Sequence, residues 1–279
     1  MVGAMSRKSD GLRFSKYEGL GNDFILVEGD AQVDPDLARH LCDRHRGIGA
    51  DGVLIVNPST PSMEVINADG SQPEMCGNGL RCVVWHLARD GHLSRAEEHQ
   101  VQTHAGPHKA KLHGDGDVEI WMRPPTLDPD EVPVMADEPR IDAPIEVVGR
   151  TLSFTAVGMG NPHAVIFDEL TAAERKELGP QVRSHQWFPN DANVGFARVT
   201  DDGLVLHVLE RGAGWTQACG TGACAAAVAA VETGRCARGE PLRVHLPGGV
   251  LTIVVGEPGE PVRMRGPARH VFDGELALR

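Results

Sequence analysis

The chain has 279 residues, of which 41% are hydrophobic and 24% are charged, and its formal net charge is -12. This charge argues against a polyanionic partner such as nucleic acid. No apolar run approaches the roughly 18–20 residues of a membrane span, so we expect no membrane partner either.

Cysteine usage and the first residues indicate the compartment. Six cysteines are too few for a disulfide scaffold in a chain of this length. The segment MVGAMSRKSDG lacks the apolar core of a secretory signal. We therefore expect reduced thiols in a cytoplasmic protein, and we interpret residues 1–12 as a flexible leader.

Short β-like runs dominate the chain. Phe24–Gly29 and Gly52–Pro58 are apolar runs bounded by turn residues, and His108–Met122 is typical of a hairpin that turns at residues 114–116. Two helices have clear start signals. Asp34 and Pro35 predict a helix to about His45, and the Thr171 and Glu174 capping box predicts one to about Val182.

Two more helices are predicted after glycine turns that begin with a cysteine, in MCGNGLRC (Met75–Cys82) and ACGTGAC (Ala218–Cys224). The first helix has apolar residues at helical spacing and can end at Gly91. The second is small and apolar on every side until Glu232, so protein must surround it. A helix enclosed by short strands predicts a barrel-like sheet wrapped around it.

The two halves of the sequence correspond to each other. Asn22 and Asn161, Cys76 and Cys219, and Met122 and Met264 are each separated by about 140 residues, which indicates an internal duplication. We predict an α+β fold with two pseudo-symmetric domains, each a barrel-like sheet around a central helix. The predicted domains are 1–126 and 127–267, with the boundary in the Pro-rich stretch 124–139.

The two cysteine turns suggest acid–base chemistry. A helix N-terminus carries unpaired N–H groups and a partial positive charge, which lower the pKa of a thiol and bind a carboxylate. If Cys76 and Cys219 face each other across one pocket, one thiolate removes an α-proton and the opposite thiol returns one to the other face. Such stereoinversion requires no cofactor, and we predict none.

Other interpretations of the cysteines are weaker. A lone cysteine near glycines is most often a small buried residue, but its repetition at two helix starts favours function. Cys42, Cys82 and Cys224 are predicted in the core and Cys236 is predicted to be incidental. Because close C-x-x-C pairs are absent from the sequence, we predict no metal site. A disulfide between Cys76 and Cys219 would be an inactive state.

The chain resembles the diaminopimelate epimerase family over nearly its whole length from Phe14. The resemblance rests on the segments GLGNDF (Gly19–Phe24), RHRGIGADG (Arg44–Gly52), NADGSQPEMCGNGLRC (Asn67–Cys82), GMGNPHAV (Gly158–Val165), ERGAG and TQACGTGACA (within Glu210–Ala225), LPGG (Leu246–Gly249) and GPARHVFDGE (Gly266–Glu275). It implies an isomerase that interconverts LL- and meso-diaminopimelate without pyridoxal phosphate, in lysine and peptidoglycan precursor biosynthesis. It also implies two barrel domains with the site in their cleft, residues 268–279 packing back onto the first domain, and a homodimer.

The resemblance extends to the site residues. It implies that Cys76 and Cys219 are catalytic and that the helix starts hold the substrate carboxylate. It implies that Glu210 binds the distal ammonium and that Arg211 binds a carboxylate. His163 is a supporting residue in this interpretation, although it is also consistent with a hydrogen-bonded core histidine. The substrate-binding set is Asn22, Asn67, Gly77, Asn78, Asn161, Asn193, Glu210, Arg211, Gly220 and Thr221.

Two positions depart from the family pattern. Gly52 stands where many relatives have Gln, and Trp215 stands where Glu commonly precedes the Thr-x-x-Cys-Gly run. We expect the first to remove a substrate contact and the second to change the surroundings of Cys219.

Three other functions remain open. They are a proline racemase-like enzyme on the same fold, a nucleotide-binding module that uses glycine turns, and a thiol redox protein.

Overall fold

A computed structural model describes residues 11–29, 32–114 and 116–277. Within these ranges the helices are α1 (Pro35–Cys42), α2 (Gly77–Arg89), α3 (Ala172–Arg183) and α4 (Gly220–Glu232). Among the described helices, none is both long and apolar enough to cross a membrane. The predicted leader lies mainly outside the described residues, and Gly11 and Leu12 already belong to the first strand.

The two halves have a similar order of strands and helices, and the second half contains additional strands. The first half contains β1 (Gly11–Gly19), β2 (Asn22–Glu28), β3 (Gly52–Asn57), β4 (Ser62–Asn67), β5 (Glu98–Thr103), β6 (Gly106–His113) and β7 (Asp117–Trp121). The second half contains β8 (Ala143–Val147), β9 (Arg150–Gly158), β10 (Pro162–Ile166), β11 (Asn193–Thr200), β12 (Gly203–Glu210), β13 (Gly214–Trp215), β14 (Leu242–Leu246), β15 (Gly249–Val254), β16 (Arg263–Pro267) and β17 (Arg269–Ala277).

Strand pairing confirms the internal repeat. From β1 to β7 the successive pairs are antiparallel, parallel, antiparallel, parallel, antiparallel and antiparallel. The series β9, β10, β11, β12, β14, β15 and β16 shows the same order. The two series join where β7 pairs antiparallel with β16, and β17 pairs with β1. The predicted α+β fold with two pseudo-symmetric halves is confirmed.

Each half wraps its strands around one central helix. In α2 the side chains of Leu80, Val83 and Leu87 are fully buried, and in α4 the alanines from Ala225 to Ala227 are fully buried. The small side chains of α4 let β9, β10, β11, β12, β14 and β15 surround it, as its composition predicted. Buried residues of both helices belong to one hydrophobic core, so α2 and α4 are packed into the same interior.

The helix boundaries mostly follow their capping signals. Thr171 and Glu174 form the predicted capping box, and α3 ends one residue beyond the predicted Val182. The predicted end of α1 near His45 is wrong, because the helix stops at Cys42. The chain folds back there, with the N–H groups of Ile48 and Gly49 donating to the carbonyl of Leu41. These bonds satisfy the carbonyl that a longer helix would have used.

The connection between the halves is irregular. Residues 122–142 contain neither a helix nor a named strand, apart from an isolated bridge between Thr126 and Gly158. The predicted hairpin is present as β6 and β7, and its turn includes residue 115, which lies outside the described residues. The domain boundary after residue 126 stays a prediction.

Candidate active site

The two helix-initiating cysteines have the same local structure. Cys76 is the N-cap of α2 with φ/ψ of -136°/111°, and Cys219 is the N-cap of α4 with -127°/109°. The Cys76 sulfur accepts the N–H of Gly79 at 3.5 Å, and the Cys219 sulfur accepts the N–H of Gly222 at 3.3 Å. Each sulfur therefore occupies the position that a serine or aspartate oxygen usually takes at a helix N-cap.

The starts of α2 and α4 converge on the side chain of Met264. A Cβ atom built on Gly77 would lie 2.9 Å from Met264 Cε, and one built on Gly220 would lie 3.2 Å from the same atom. The Cβ position of Gly220 is also 3.9 Å from Asn78 Oδ1, which connects the two helix starts directly. Glycine at both positions therefore leaves room for the end of the Met264 side chain, and neither position has a positive φ angle.

Glu210, at the end of β12, is a carboxylate that acts on both thiols. Its negative charge raises the pKa of Cys219 and also acts to raise that of Cys76. Thr216 Oγ1 donates to Glu210 Oε1 at 2.5 Å, and the Cys219 sulfur lies 3.5 Å from Thr221 Oγ1. A single carboxylate therefore interacts with both predicted catalytic groups.

The expected low pKa of the thiols is wrong for the free protein. Burial raises the pKa of Cys76, and the N–H of Gly79 and the charge of Arg81 only oppose this effect. Burial also raises the pKa of Cys219 well above its usual value, and the charge of Glu210 raises it further. Desolvation of a thiolate in an apolar interior outweighs the partial charge of the helix N-terminus here.

A second polar group lies in the C-terminal half. Asn193 Nδ2 donates to the carbonyl of Pro162 at 3.2 Å, and Asn193 Oδ1 accepts the N–H of Arg211 at 2.9 Å. His163 Nε2 lies 2.9 Å from Asn161 Oδ1, so this nitrogen carries the proton. Burial, with the charge of Arg211, lowers the pKa of His163 to about 3, so the imidazole is neutral at pH 7.

The polar residues of the N-terminal half are held by short hydrogen bonds. Asn22 Nδ2 donates to Asp51 Oδ2 at 2.7 Å, and Asn78 Nδ2 donates to Asn22 Oδ1 at 3.1 Å. Asn67, at the end of β4, instead donates to Ser71 Oγ at 2.9 Å within its own turn. The structure thus joins Asn22 and Asn78 to the start of α2.

The two departures from the family pattern have structural explanations. A Cβ on Gly52 would lie 3.0 Å from the carbonyl oxygen of Ile66, so the site is tight for a side chain. The indole of Trp215 stacks on Phe196 at 6.0 Å and 29°, and it lies over Gly179 of α3. Trp215 therefore packs toward α3, and the negative charge that acts on Cys219 comes from Glu210.

Sequence reasoning missed two residues of this region, Met264 as the side chain between the helix starts and Arg81 as a buried cation beside them. The signal for Arg81 was present, because it is a charged residue inside the apolar run of α2.

A cavity of about 600 Å³ lies elsewhere in the molecule. It is lined by Arg175, Phe196 and His207 among others, and neither thiol lines it.

Solved structures identify the fold. Hydroxyproline epimerase from Agrobacterium vitis superposes with a TM-score of 0.67 at 16% identity, covering 98% of this chain and 94% of that one. A probable proline racemase from Agrobacterium radiobacter K84 gives a TM-score of 0.68 at 14% identity, covering 96% and 93%. At these identities the likeness shows the fold alone, and the chain has the fold of these epimerases and racemases.

Sequence comparison narrows this class. The sequence model of the family described as Diaminopimelate epimerase matches residues 14–127 and 155–271. The diaminopimelate epimerase of Pseudomonas entomophila is 44% identical over 277 residues, which cover 96% of this chain and 99% of that protein. The protein of the same name from Nostoc punctiforme is 43% identical over 279 residues, covering 95% and 99%. The chain belongs to the diaminopimelate epimerase family and is an isomerase.

Proposed function

We propose that this protein interconverts LL- and meso-diaminopimelate by moving a proton between two thiols. The observation that carries the proposal is the convergence of two cysteine N-caps, Cys76 and Cys219, on one buried side chain, Met264. This arrangement suits attack on one α-carbon from opposite faces. The reaction belongs to lysine and peptidoglycan precursor biosynthesis.

The two helix starts offer a matched set of donors for the α-carboxylate. The N–H of the fourth residue of each helix, Leu80 or Ala223, bonds to the carbonyl of its cysteine N-cap. The N–H of the third residue is capped by the cysteine sulfur. The first two N–H groups therefore have no backbone partner within the helix, and of these the Asn78 N–H also acts on the Cys76 sulfur. These N–H groups belong to Gly77, Asn78, Gly220 and Thr221. In this proposal they bind the α-carboxylate and stabilise the negative charge that develops on it as the α-proton leaves.

The raised pKa values of the thiols determine how a thiolate forms. Both groups are protonated at rest, because burial disfavours the anion. The family resemblance implies that Glu210 binds the distal ammonium, and its charge also acts on the Cys219 thiol. We assign Glu210 as the group that accepts the Cys219 proton, so that Cys219 becomes the base and Cys76 supplies a proton to the opposite face. For the reverse reaction the thiol roles exchange, with His163 as the supporting residue of the site.

The second amino-acid end of the substrate requires its own recognition. Arg211 donates through Nη1 to the carbonyl of Asn190 at 2.8 Å, which leaves other guanidinium N–H groups for a carboxylate. Asn161 and Asn193 lie in the same polar group, and we assign them with Asn67 to the distal end. A proline racemase-like enzyme would have no use for this set, and the named relatives do not favour that alternative.

The test is incubation of LL-diaminopimelate with the protein in deuterated water without added cofactor. We expect deuterium at the α-carbon and appearance of the meso form. Cys76→Ala and Cys219→Ala should each abolish net inversion, because each lacks the proton donor or acceptor on one face. Cys236→Ala is the matched control, since Cys236 is half-buried and lies outside the site. Normal inversion by either site variant would refute the two-thiol assignment.

The assembly and compartment are further parts of the proposal. We propose a cytoplasmic homodimer, as the family resemblance implies, formed through β17. This strand pairs with β1 along one edge and exposes Val271 and Phe272 by 53% and 45%. Light scattering should give twice the chain mass, and Phe272→Lys should reduce it to the monomer mass. A wild-type monomer at micromolar concentration would refute the dimer and leave the chemistry untouched.

A further inference from the structure

Arg81 is a buried cation in the middle of the apolar helix α2. Its side chain is 0% exposed, and it forms no ion pair within the described ranges. Nη2 donates to Asn78 Oδ1 at 2.9 Å, and Nε donates to the carbonyl of Pro267 at 3.2 Å. Burying a charge without an ion pair is costly, so its hydrogen bonds must serve a purpose that an apolar residue could not.

The guanidinium lies in a slot between two glycines, one from each half of the repeat. A Cβ on Gly19 would lie 3.2 Å from Arg81 Nη2, and a Cβ on Gly266 would lie 3.4 Å from Arg81 Nε. Gly19 belongs to the GLGNDF segment, and Gly266 belongs to GPARHVFDGE. The absence of side chains at these two positions leaves room for the planar group.

A chain of hydrogen bonds runs outward from Arg81. Nη2 donates to Asn78 Oδ1, Asn78 Nδ2 donates to Asn22 Oδ1 at 3.1 Å, and Asn22 Nδ2 donates to Asp51 Oδ2 at 2.7 Å. Arginine can only donate, and an ionised aspartate can only accept. The two ends of the chain therefore assign the amide oxygen and nitrogen of both asparagines, and neither amide can flip without losing two bonds.

We propose that Arg81 is a positioning residue that fixes the first turn of α2 and the direction of the Asn78 and Asn22 amides. This inference rests on the proposed function, because the first turn is the donor set for the substrate carboxylate. The bond to Pro267 ties the same turn to β16, which also carries Met264. Arg81 thereby holds the start of α2 in register with the opposite half of the site.

The charge of Arg81 also acts on the thiols. It opposes the effect of burial on the pKa of Cys76, while Glu210 of β12 acts in the opposite direction. Around Arg81, the titratable groups are Cys76 and Cys82 on its own helix, Cys224 on α4 and Asp117 on β7, and Glu18 of β1 faces Cys82. Removing the guanidinium leaves only the N–H groups of Gly79 and Asn78 to oppose burial and Glu210, so the pKa of Cys76 should rise.

The test compares four variants in the epimerisation assay across pH. Arg81→Met should lower kcat/KM roughly 10- to 100-fold, as expected for loss of a hydrogen bond from a charged group. It should also shift the limb of the pH–rate profile that reports thiol ionisation upward by about one pH unit. Arg81→Lys keeps the charge and should keep that limb, but it should lower kcat/KM. Gly19→Ala should also lower kcat/KM with an unchanged limb, because it displaces Nη2 without removing charge.

Arg89→Met is the matched control, since Arg89 lies on the same helix but reaches the surface to pair with Asp90. It should behave as the wild type. A folded Arg81→Met variant with wild-type kcat/KM and pH profile would overturn the inference. If Arg81→Met does not fold, an unchanged kcat/KM in Gly19→Ala overturns it instead. A wild-type protein without epimerase activity would refute the proposed function itself, which is a separate outcome.

Discussion

Met264 fills the space between the two helix starts, and its removal should affect stability in a way that depends on Gly77. The side chain is fully buried, so Met264→Ala should lower the free energy of unfolding by about 2–5 kcal/mol. Gly77→Ala alone places a Cβ 2.9 Å from Met264 Cε. The repacking that this contact requires should cost about 1–3 kcal/mol.

The two substitutions should be less costly together than their sum. In Met264→Ala the methyl group that clashes with a Cβ at Gly77 is gone, so Gly77→Ala should cost less in that background. We expect a favourable coupling free energy of about 1 kcal/mol or more, which is typical for side chains in contact. Urea unfolding of the wild type, both single variants and the double variant measures this coupling.

The matched control keeps the volume at position 264. Met264→Leu should cost less than about 1.5 kcal/mol, because it conserves side-chain volume, and it should leave the cost of Gly77→Ala nearly unchanged. If Gly77→Ala costs the same in the wild type and in Met264→Ala, then Met264 does not separate the helix starts. The convergence of the two thiol turns would then need another explanation.

Three further predictions follow from single features. The free energy of unfolding should fall as pH decreases below about 6.5, because His163 binds a proton in the unfolded chain but stays neutral in the folded protein, where its pKa is about 3. Urea unfolding at pH 7 and pH 5 measures this fall, which should be smaller in His163→Gln. Thr171→Ala should cost about 1 kcal/mol in unfolding free energy through loss of the α3 cap, with Thr171→Ser as the tolerated control. Gly248→Ala should lower both the melting temperature and kcat, because its Cβ would lie 2.0 Å from the carbonyl oxygen of Leu20 and force the two halves apart. An unchanged kcat would contradict the inference that this contact holds the halves together.

Local patterns were sufficient to predict the elements that carry the site. The cysteine–glycine turns predicted the starts of α2 and α4, because the N-cap signal and the apolar spacing lie within a few residues of each other. The constant offset between the halves predicted the repeated strand pairing. The composition of α4 predicted its burial, since a helix of alanines without a polar face must be enclosed.

Features that depend on contacts across the fold were not predictable from these patterns. The pKa of each thiol is dominated by burial, which residues distant in sequence create. The direction of Trp215 depends on stacking with Phe196 of β11, a strand that does not pair with β13. The early end of α1 depends on the return of the chain at Gly47, whose Cβ would lie 2.1 Å from the carbonyl oxygen of His40.

The pairing of β7 with β16 has a consequence for reversibility. Trp121 lies opposite Arg263, and these are equivalent positions of the two repeats. An antiparallel pair of equivalent residues lies on a local two-fold axis, so the seam between the halves resembles the interface of a symmetric dimer now made within one chain. Rotation by half a turn exchanges the two thiol turns, so in the proposed mechanism the forward and reverse reactions begin from equivalent helix starts. The equivalence ends there, because Glu210, Arg211 and Asn193 all lie in the second half of the chain.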